Sequence, residues 1–490
     1  MNNFKNYLEK NYKKVIGWGT SGYFHETSGK LNINMEYLID SDVSKVGSLL
    51  KGIKIESPEI LLKENPENIL IVIFSSFYKE ICENIERFGD FYTVSGEELL
   101  RISIFLDKDN KKILGGEDSE KEIILTISRN NYTKITNGLS NFLTQQVEVF
   151  RKKNNQCIHI FWRDYNIKGY SGIFISVVIE GEEIGLYSIK DFIRELKKVK
   201  AIVIHSIASM DLKTIEYLIE KIDTQNILYY IHDFSCICSN IKLMYNNEYF
   251  CESYEKEWSK CFTCESFQYK TKIFEFHETL FLNKKIQLIA PSESTKEIIQ
   301  KSFNLTDDRI KVISHQKFSK VYKSSQFVNK PIRIAYVGYK HKHKGWEVFK
   351  QLVEDYKGRY EFYCFGASDE ILDEVNYIDV SFIKDGERAM TNKLREYNID
   401  ISLLWSVWPE TYSYTYYESF AAGTFVVTNI LSGNIIDQVI KNGNGIALEN
   451  YNQLKKFLDD EIELKEIILK NDIYITDLRR NEDEILKMIQ

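Results

Sequence analysis

The stretch DISLLWSVWPETYSYTYYESFAAGTFVVTN, residues 400–429, decides how the carboxyl-terminal part of this chain folds. It begins with a short apolar run, continues with tyrosines among polar residues and ends in β-branched residues. Pro409 and the hydroxyl residues after it are typical of a helix start, and Gly423 is typical of a helix end. The segment therefore predicts a strand, a helix and a second strand, which is the unit that builds parallel sheets.

The same alternation of strand and helix signals recurs along most of the 490 residues. It runs over residues 14–115, over the middle of the chain, and again from residue 332 to a polar tail that we expect to be helical. Because parallel strands need crossover helices, the pattern predicts an α/β protein of three Rossmann-like domains. A charged segment at 105–122 marks the first boundary. The expected domains are residues 1–118, 119–322 and 323–490.

Composition narrows the class of protein. With 43% hydrophobic and 28% charged residues, the chain has the make-up of a folded globular protein. The net charge of -7 argues against a general nucleic-acid binder, because a phosphate backbone requires a basic surface. No apolar run reaches the roughly 18 residues that cross a bilayer, and the amino terminus lacks the apolar core of a signal peptide. We therefore expect a cytoplasmic protein without a transmembrane segment.

The segment IRIAYVGYKHKHKG, residues 332–345, joins a strand to a basic loop in a chain that is acidic as a whole. Lys340 and Lys344 offer point charges to phosphate oxygens, and Gly338 and Gly345 allow the backbone to approach closely. This composition indicates a phosphate site. A solvated charged loop is the alternative interpretation.

Glu410 and Glu418 flank the predicted helix start. The free N–H groups at this start, together with the helix dipole, would stabilise a diphosphate. Glu418 could accept hydrogen bonds from two ribose hydroxyls, while Glu410 faces a second hydroxyl-bearing ring. Alternatively, Thr415 and Glu418 form a capping box with a structural role. The residues expected at the helix start are Thr411, Tyr412 and Ser413.

His232 and Asp233 follow the strand-like run NILYYIHD in the middle of the chain. Residues at the carboxyl ends of parallel strands line the crevice in which such sheets bind ligands. A ligand-binding histidine is therefore one interpretation, and a packed core histidine is the other.

Six segments occur in an order that resembles a known enzyme family: IHDFSCIC, IAPSEST, VISH, IAYVG followed by a Lys-Gly pair, FYCFG and WPETYSYTYYESFAAG. Over residues 121–460 the chain resembles retaining glycosyltransferases of the GT-B architecture, family 4 (glycosyl transferases group 1). The resemblance implies that the last two domains face each other across a cleft. The middle domain would be the acceptor-side domain, and the last domain would bind the nucleotide-sugar donor. The resemblance also implies transfer of a sugar from a nucleotide-diphosphate sugar to an acceptor hydroxyl, with retention of configuration and without a metal ion.

The resemblance further implies residue roles. Glu410 would contact the donor sugar, Glu418 the ribose and Lys344 the diphosphate. His232 would sit beside the transferred sugar, oriented by Asp233.

Two positions depart from the family pattern. Tyr339 stands where the family has an arginine, so Lys340 would substitute for it, and Gly138 is what remains of a glycine-rich loop. The implied acceptor is a glycan, a lipid-linked molecule or a protein in bacterial surface glycan or polysaccharide biosynthesis. Peripheral association with the inner face of the membrane is compatible with such acceptors.

Cysteines cluster after the His-Asp pair, with five of eight between residues 236 and 264. One Cys-x2-Cys pair and two further thiols would suffice for a tetrahedral structural zinc site. Reduced, partly buried thiols are the alternative. The four candidate ligands are Cys238, Cys251, Cys261 and Cys264.

The segment GWGTSG near the amino terminus matches the glycine fingerprint of dinucleotide-binding domains. Its glycines are Gly17, Gly19 and Gly22, and Asp40 follows at about the expected distance of 20 residues. One rival hypothesis is therefore an NAD-dependent oxidoreductase that acts through this domain. A second rival, motivated by Tyr339, is a non-catalytic partner subunit that binds a nucleotide sugar.

Overall fold

The computed structural model describes residues 3–107, 121–135, 137–252, 254–255, 258–323, 331–366, 370–381, 385–470 and 473–489. The chain divides into two compact units. The first comprises Met1–Lys121 and Ile158–Lys197, and the second comprises Glu122–Cys157 and Lys198–Gln490. Residues 158–197, which we expected in the second domain, thus belong to the first unit. The predicted boundary segment lies largely outside the described residues, which omit 108–120.

The first stretch of chain forms α1 (Asn3–Asn11), β1 (Lys14–Trp18), α2 (Gly22–Leu31), β2 (Leu38–Ile39), β3 (Leu49–Leu50), β4 (Ile53–Glu56), β5 (Ile69–Ile73), α3 (Tyr78–Ile85), β6 (Tyr92–Ser95) and α4 (Gly96–Asp107). The next forms β7 (Glu122–Ile127), α5 (Gly138–Lys152), β8 (Asn155–Ile167), β9 (Tyr170–Ile179), β10 (Glu182–Ser188), α6 (Ile189–Glu195), β11 (Val199–Ile204), α7 (Leu212–Lys221), β12 (Ile227–Tyr230), β13 (Met244–Tyr245), β14 (Tyr249–Phe250), α8 (Phe267–Leu282), β15 (Ile286–Ala290), α9 (Glu293–Phe303), β16 (Ile310–Val312), β17 (Gln316–Lys317) and β18 (Lys320–Lys323).

The last stretch forms β19 (Arg333–Val337), α10 (Trp346–Tyr356), β20 (Glu361–Phe365), β21 (Val375–Ile378), α11 (Ala389–Glu396), β22 (Ile401–Leu404), α12 (Tyr414–Ala422), β23 (Phe425–Asn429), α13 (Asn434–Asn442), β24 (Gly445–Leu448), α14 (Tyr451–Asp459), α15 (Glu461–Lys470), β25 (Ile473–Thr476), β26 (Arg479–Arg480) and α16 (Glu482–Lys487). Short 3-10 helices lie at Pro58–Lys63, Pro66–Asn68, Ser259–Thr263, Asp307–Arg309 and Lys342–Lys344.

The first unit is built on parallel strands in the order β4-β2-β1-β5-β6. Strand β5, which lies between β1 and β6, reads ILIVI and is buried along its whole length, as expected for a strand that is covered on both faces. Strands β8, β9 and β10 pair antiparallel with one another, and β8 joins β6 through Thr93 and Asn166. This antiparallel extension was not predicted and explains why residues 158–197 belong to the first unit.

The second unit contains two parallel sheets. One has the order β7-β11-β12-β15-β16, and the other has the order β21-β20-β19-β22-β23-β24. The predicted α/β fold of parallel, Rossmann-like sheets is therefore confirmed. Among the described residues, no helix combines the length and the apolar composition that crossing a membrane requires.

The tail of the chain corrects one prediction. Helices α14, α15 and α16 are present, but β25 and β26 interrupt the expected helical tail. They pair antiparallel with β18 and β17, two short strands that precede the second sheet. Because these partners lie far away in sequence, the local composition of the tail contained no signal for them.

Gly345 positions the basic loop against the second sheet of this unit. It has a φ of +84°, and a Cβ at this position would lie 2.3 Å from the carbonyl oxygen of Trp405. Trp346 follows immediately and is buried in the core. The start of α10 can pack on the end of β22 only because residue 345 has no side chain, and this packing places Lys344.

We expect Gly345→Ala to lower the free energy of unfolding by about 3 kcal/mol, because left-handed backbone strain adds to the contact with the Trp405 carbonyl. Gly358→Ala is the matched control. Gly358 also has a positive φ, +77°, but a Cβ there would have no neighbour within 4 Å. Gly358→Ala should therefore lower the free energy of unfolding by only about 1–2 kcal/mol. Urea unfolding followed by fluorescence measures both, and equal losses would contradict the role of the Trp405 contact.

Candidate functional site

A cavity of about 1150 Å3 lies within the second unit. Its lining comes from the start of α5, from the loops that follow β19 and β22, and from α12. The cavity therefore borders on elements of both parallel sheets. Residues that the sequence analysis assigned to a single site line it together: Gly138, Gly338, Lys344, Glu410, Tyr412, Ser413 and Glu418.

Lys344 and Glu410 form an ion pair on the cavity wall. The Nζ atom of Lys344 lies 2.7 Å from Oε1 of Glu410, whose side chain is 5% exposed. The backbone of Glu410 is held by Asn434, whose N–H donates to the Glu410 carbonyl at 2.9 Å. A carboxylate this buried requires a charged or hydrogen-bonded partner. The pair thus keeps one cation and one anion fixed at the same point of the wall.

Helix α12 begins at the cavity, as predicted. Ser413 is its N-cap and accepts a hydrogen bond from the N–H of Tyr416, and Gly423 ends it with a φ of +85°. Since Ser413 rather than Thr415 is the cap, the alternative of a capping box between Thr415 and Glu418 is wrong. The first turn therefore presents its N–H groups and the positive end of the helix dipole towards this wall.

Glu418 lies one turn further along α12 and is 6% exposed. Burial raises the pKa of its carboxyl group to about 8. In the described part of the chain, no group donates a hydrogen bond to this carboxyl. A buried, unpaired acid on a cavity wall is suited to accept hydrogen bonds from a ligand.

His232 lies beside the cavity rather than on its wall. Its Nε2 is 3.0 Å from Nδ1 of His205, and its ring stacks on that of Tyr230. Burial lowers the pKa of His232 to about 4, so the ring is neutral at physiological pH. The carbonyl oxygen of His232 accepts a hydrogen bond from Oγ1 of Thr411 at 2.7 Å, which connects the two sheets of the unit.

Asp233 does not have the orienting role that the resemblance implied. Its carboxylate accepts hydrogen bonds from Oγ of Ser206 at 2.5 Å and from the N–H of Ser235 at 3.0 Å. The ring of His232 is instead contacted by His205, the first residue after β11. The sequence analysis missed His205 because a single histidine after a buried strand is typical of a packed core.

Lys340 does not substitute for the missing arginine. Its ammonium donates to the carbonyl oxygen of Glu370 at 2.5 Å and lies over the rings of Trp346 and Tyr377, 4.6 and 4.3 Å from their centroids. These aromatic contacts draw the side chain away from the cavity, whose described lining does not include it. Gly345 and Thr411 are also absent from that lining, because they pack on Trp405 and His232.

Several polar and basic residues of the cavity wall were not predicted. They come from β17, from the region of α11 and from β26, segments whose composition is ordinary for a protein surface. The tertiary structure alone brings them to the cavity. These residues include Gln316, Lys317, Arg388, Arg395 and Arg480.

The four candidate zinc ligands lie around one small cavity of about 20 Å3. The buried ammonium of Lys270 donates to Sγ of Cys261 at 3.1 Å. All eight cysteines of the chain are free thiols. Among the described residues, no three His, Cys, Asp or Glu side chains are arranged so as to hold a metal ion. The zinc site therefore stays a prediction.

Gly17 and Gly19 of the GWGTSG segment have packing roles in the first unit, whereas a Cβ at Gly22 would have no neighbour within 4 Å. Gly19 has a φ of +101°, and a Cβ there would lie 2.7 Å from the carbonyl oxygen of Phe74. The carboxylate of Asp40 accepts hydrogen bonds from Thr20 and, at 3.1 Å, from Lys45. These contacts account for Gly17, Gly19 and Asp40 without a ligand and do not favour an oxidoreductase.

The buried carboxyl of Glu418 predicts a pH dependence of stability. Its pKa is higher in the folded state, about 8, than in the unfolded state, so folding becomes less favourable as pH rises from about 4.5 to about 8. Glu418→Gln removes this loss. The difference in the free energy of unfolding between Glu418→Gln and wild type should therefore grow in favour of the variant by up to about 1.4 kcal/mol per pH unit over this range.

Unfolding by urea at pH 5, 6, 7 and 8 measures the difference between the two proteins. Glu374→Gln is the control, because Glu374 is exposed in the same unit. A difference between wild type and Glu418→Gln that stays constant with pH would contradict the raised pKa.

No family model matches this chain, and no curated protein matches its sequence. Its structure is similar to sucrose-phosphate synthase from Thermosynechococcus elongatus, with a TM-score of 0.47 and 11% identity over 76% of this chain and 95% of that chain. It is also similar to WaaG, described as a glycosyltransferase involved in lipopolysaccharide biosynthesis, with a TM-score of 0.45 and 10% identity over 75% of this chain and 99% of that chain. A third similar structure is Anabaena Alr3699/HepE in complex with UDP-glucose, with a TM-score of 0.44 and 10% identity over 75% and 95% of the two chains. Similarities at this level assign neither a family nor an activity.

Proposed function

We propose that the second unit is a glycosyltransferase of the GT-B type that transfers a sugar from a nucleotide-diphosphate sugar to an acceptor hydroxyl with retention of configuration. The observation that carries the proposal is the placement of three features on one cavity: the Lys344–Glu410 ion pair, the start of α12 and the unpaired carboxyl of Glu418. Each suits a different part of such a donor. The cavity volume of about 1150 Å3 also suits a ligand of that size.

The diphosphate would lie between Lys344 and the first turn of α12. The N–H groups of a helix start and its dipole favour phosphate, and Lys344 adds a full positive charge. Glu418, one turn along the same helix, would then accept hydrogen bonds from the ribose hydroxyls. Glu410 would hold hydroxyls of the sugar while Lys344 moves from Glu410 towards the phosphate.

Departure of the diphosphate is the step that needs stabilisation, because negative charge gathers on it as the bond to the sugar breaks. Groups that are already oriented towards this charge lower the barrier without reorganisation. In our proposal Lys344 and the helix start supply this stabilisation, so no metal ion is needed for the step. The acceptor oxygen would attack from the face that the diphosphate leaves, which retains the configuration, and the departing diphosphate oxygen would take the acceptor's proton.

His232 has a positioning role in this scheme. Its neutral ring is held by His205, and its carbonyl oxygen is bonded to Thr411, the residue after Glu410. It therefore fixes the loop that carries Glu410. The expected acceptor is a glycan hydroxyl, free, lipid-linked or on a protein.

A non-catalytic nucleotide-sugar-binding subunit is the second candidate. The position of Lys340 favours it, since this lysine is bonded to Glu370 and the family arginine is replaced by Tyr339. Such a subunit would bind the donor through Glu418 and Lys344 but would not cleave it. Binding and cleavage therefore have to be measured separately.

We expect Lys344→Gln and Glu410→Gln to lower the release of nucleotide diphosphate by about 100-fold, because each removes charge stabilisation or sugar positioning in the transition state. Lys342→Gln is the matched control for the lysine, since Lys342 is exposed in the same loop. Release is measured by a coupled assay with UDP-, GDP-, dTDP- and CDP-sugars, and binding by thermal shift.

The two candidates differ in the outcome for wild type. Donor binding with release that depends on Lys344 and Glu410 supports the transferase. Donor binding without release from any sugar nucleotide supports the binding subunit. If no nucleotide or nucleotide sugar raises the melting temperature, both fail.

A further inference from the structure

Lys344 belongs to a cluster of basic groups that the proposed donor site does not fully use. The Nζ atom of Lys242 lies 3.4 Å from Nδ1 of His343. The rings of His343 and His341 stack with their centroids 5.0 Å apart. We call Lys242, His341, His343 and Lys344 the basic cluster. Its members come from two loops, one that follows β12 and one that follows β19.

The charged groups that act on this cluster are mainly basic. Burial and then Lys344 lower the pKa of Lys242. Burial, followed by Lys242, Lys344 and His341, lowers the pKa of His343 to about 3, and burial with the two lysines lowers that of His341. The carboxylate beside the cluster is Glu410, which is paired with Lys344. The positive charge of the cluster therefore comes from its two lysines, and no described carboxylate acts on the pKa of Lys242, His341 or His343.

The state of His343 follows from its contact with Lys242. An ammonium group only donates hydrogen bonds, so Nδ1 of His343 accepts and the proton of the neutral ring lies on Nε2. The loop around His343 is held in place because its carbonyl oxygen accepts from the N–H of Val407 at 3.1 Å. His343 is thus a fixed, neutral ring whose Nδ1 atom holds the ammonium group of Lys242.

The like charges of Lys242 and Lys344 repel each other, which costs free energy because both side chains are partly removed from water. A phosphate group between them would reverse the sign of this interaction. The family arginine is absent at 339, and Lys340 is held by Glu370, Trp346 and Tyr377. The loop after β19 therefore has one lysine, Lys344, on the cavity wall. Lys242, from the loop after β12, is a second cation that contacts the loop after β19 at His343 but is not part of the described lining.

We propose that Lys242 and Lys344 bind one phosphate oxyanion between them and that His343 holds the ammonium group of Lys242 in position through Nδ1. The oxyanion site itself does not require that the protein is an enzyme. The identity of the oxyanion, as a donor diphosphate or an acceptor phosphate, rests on the proposed function. In either case Lys242 joins the two halves of the second unit when the anion is bound. Lys242 is then a binding residue that no motif of the chain revealed.

The test is isothermal titration of the full chain with inorganic pyrophosphate. Lys242→Gln should weaken binding about ten-fold, the loss of one charge-assisted hydrogen bond, and Lys242→Arg should restore most of it. Lys284→Gln is the control, because Lys284 is exposed in the same unit. NMR of the histidine rings gives a second readout: saturation with pyrophosphate should raise the pKa of His343 in wild type and less so in Lys242→Gln.

Titration with the nucleoside diphosphate that stabilises wild type most distinguishes the two sources of phosphate. If Lys242→Gln weakens this ligand about as much as pyrophosphate, the oxyanion belongs to the donor. The alternative outcome has two parts. Lys242→Gln binds the nucleoside diphosphate as tightly as wild type does, but once both proteins are saturated with this nucleotide, the variant binds added pyrophosphate more weakly than wild type. The oxyanion then belongs to the acceptor.

Two outcomes overturn the oxyanion site: wild type binds no pyrophosphate, or Lys242→Gln binds it as tightly as wild type does. Binding of pyrophosphate that depends on Lys242, in a wild type that binds no nucleotide, would retain the oxyanion site and reject the proposed function. The two proposals can therefore fail independently.

Discussion

The ion pair between Lys344 and Glu410 is the interaction on which the cavity of the second unit depends. Both residues are placed by glycines that admit no side chain. Gly345 lies against the Trp405 carbonyl, and at Gly433 a Cβ would lie 2.7 Å from the N–H nitrogen of Glu410. Close packing of these backbones brings a lysine and a buried carboxylate to 2.7 Å, and the pair neutralises a wall that would otherwise hold an isolated charge.

The two sheets of the second unit meet through a small number of hydrogen bonds around this wall. Thr411 donates to the carbonyl of His232, Thr295 donates to the carbonyl of Thr411 at 3.3 Å, and the N–H of Ser294 donates to Asp437 at 3.0 Å. Each is a bond between a side chain and the backbone, which contributes only about 1 kcal/mol net. Contacts of this kind hold the loops of the cavity in register while allowing the two halves to adjust around a ligand.

Burial sets the charge state of the groups around the cavity. Glu418 and His232 are both made neutral by removal from water, the first through a raised pKa and the second through a lowered one. Lys344 is paired with the carboxylate of Glu410 on the same wall. The lining therefore combines neutral hydrogen-bonding groups with fixed charges, an arrangement that distinguishes the hydroxyls of a ligand from its phosphates.

Much of this architecture could be predicted from the sequence, because it depends on local patterns. The alternation of buried strands and helices determined the parallel sheets, and Pro409, the hydroxyl residues and Gly423 determined helix α12. The grouping of Glu410, Glu418 and Lys344 was also predictable, since all three follow strand ends of one sheet. Only the tertiary structure decided where long side chains lie: Lys340 turns to the rings of Trp346 and Tyr377, Asp233 to Ser206, and Lys242 to His343. The strands β25 and β26 and the hairpin of β9 and β10 were likewise decided by partners distant in the chain. A sequence pattern shows how apolar residues are spaced along a segment and so predicts whether it is a helix or a strand. The direction of a flexible side chain and the pairing of an edge strand depend instead on neighbours that are distant in the sequence.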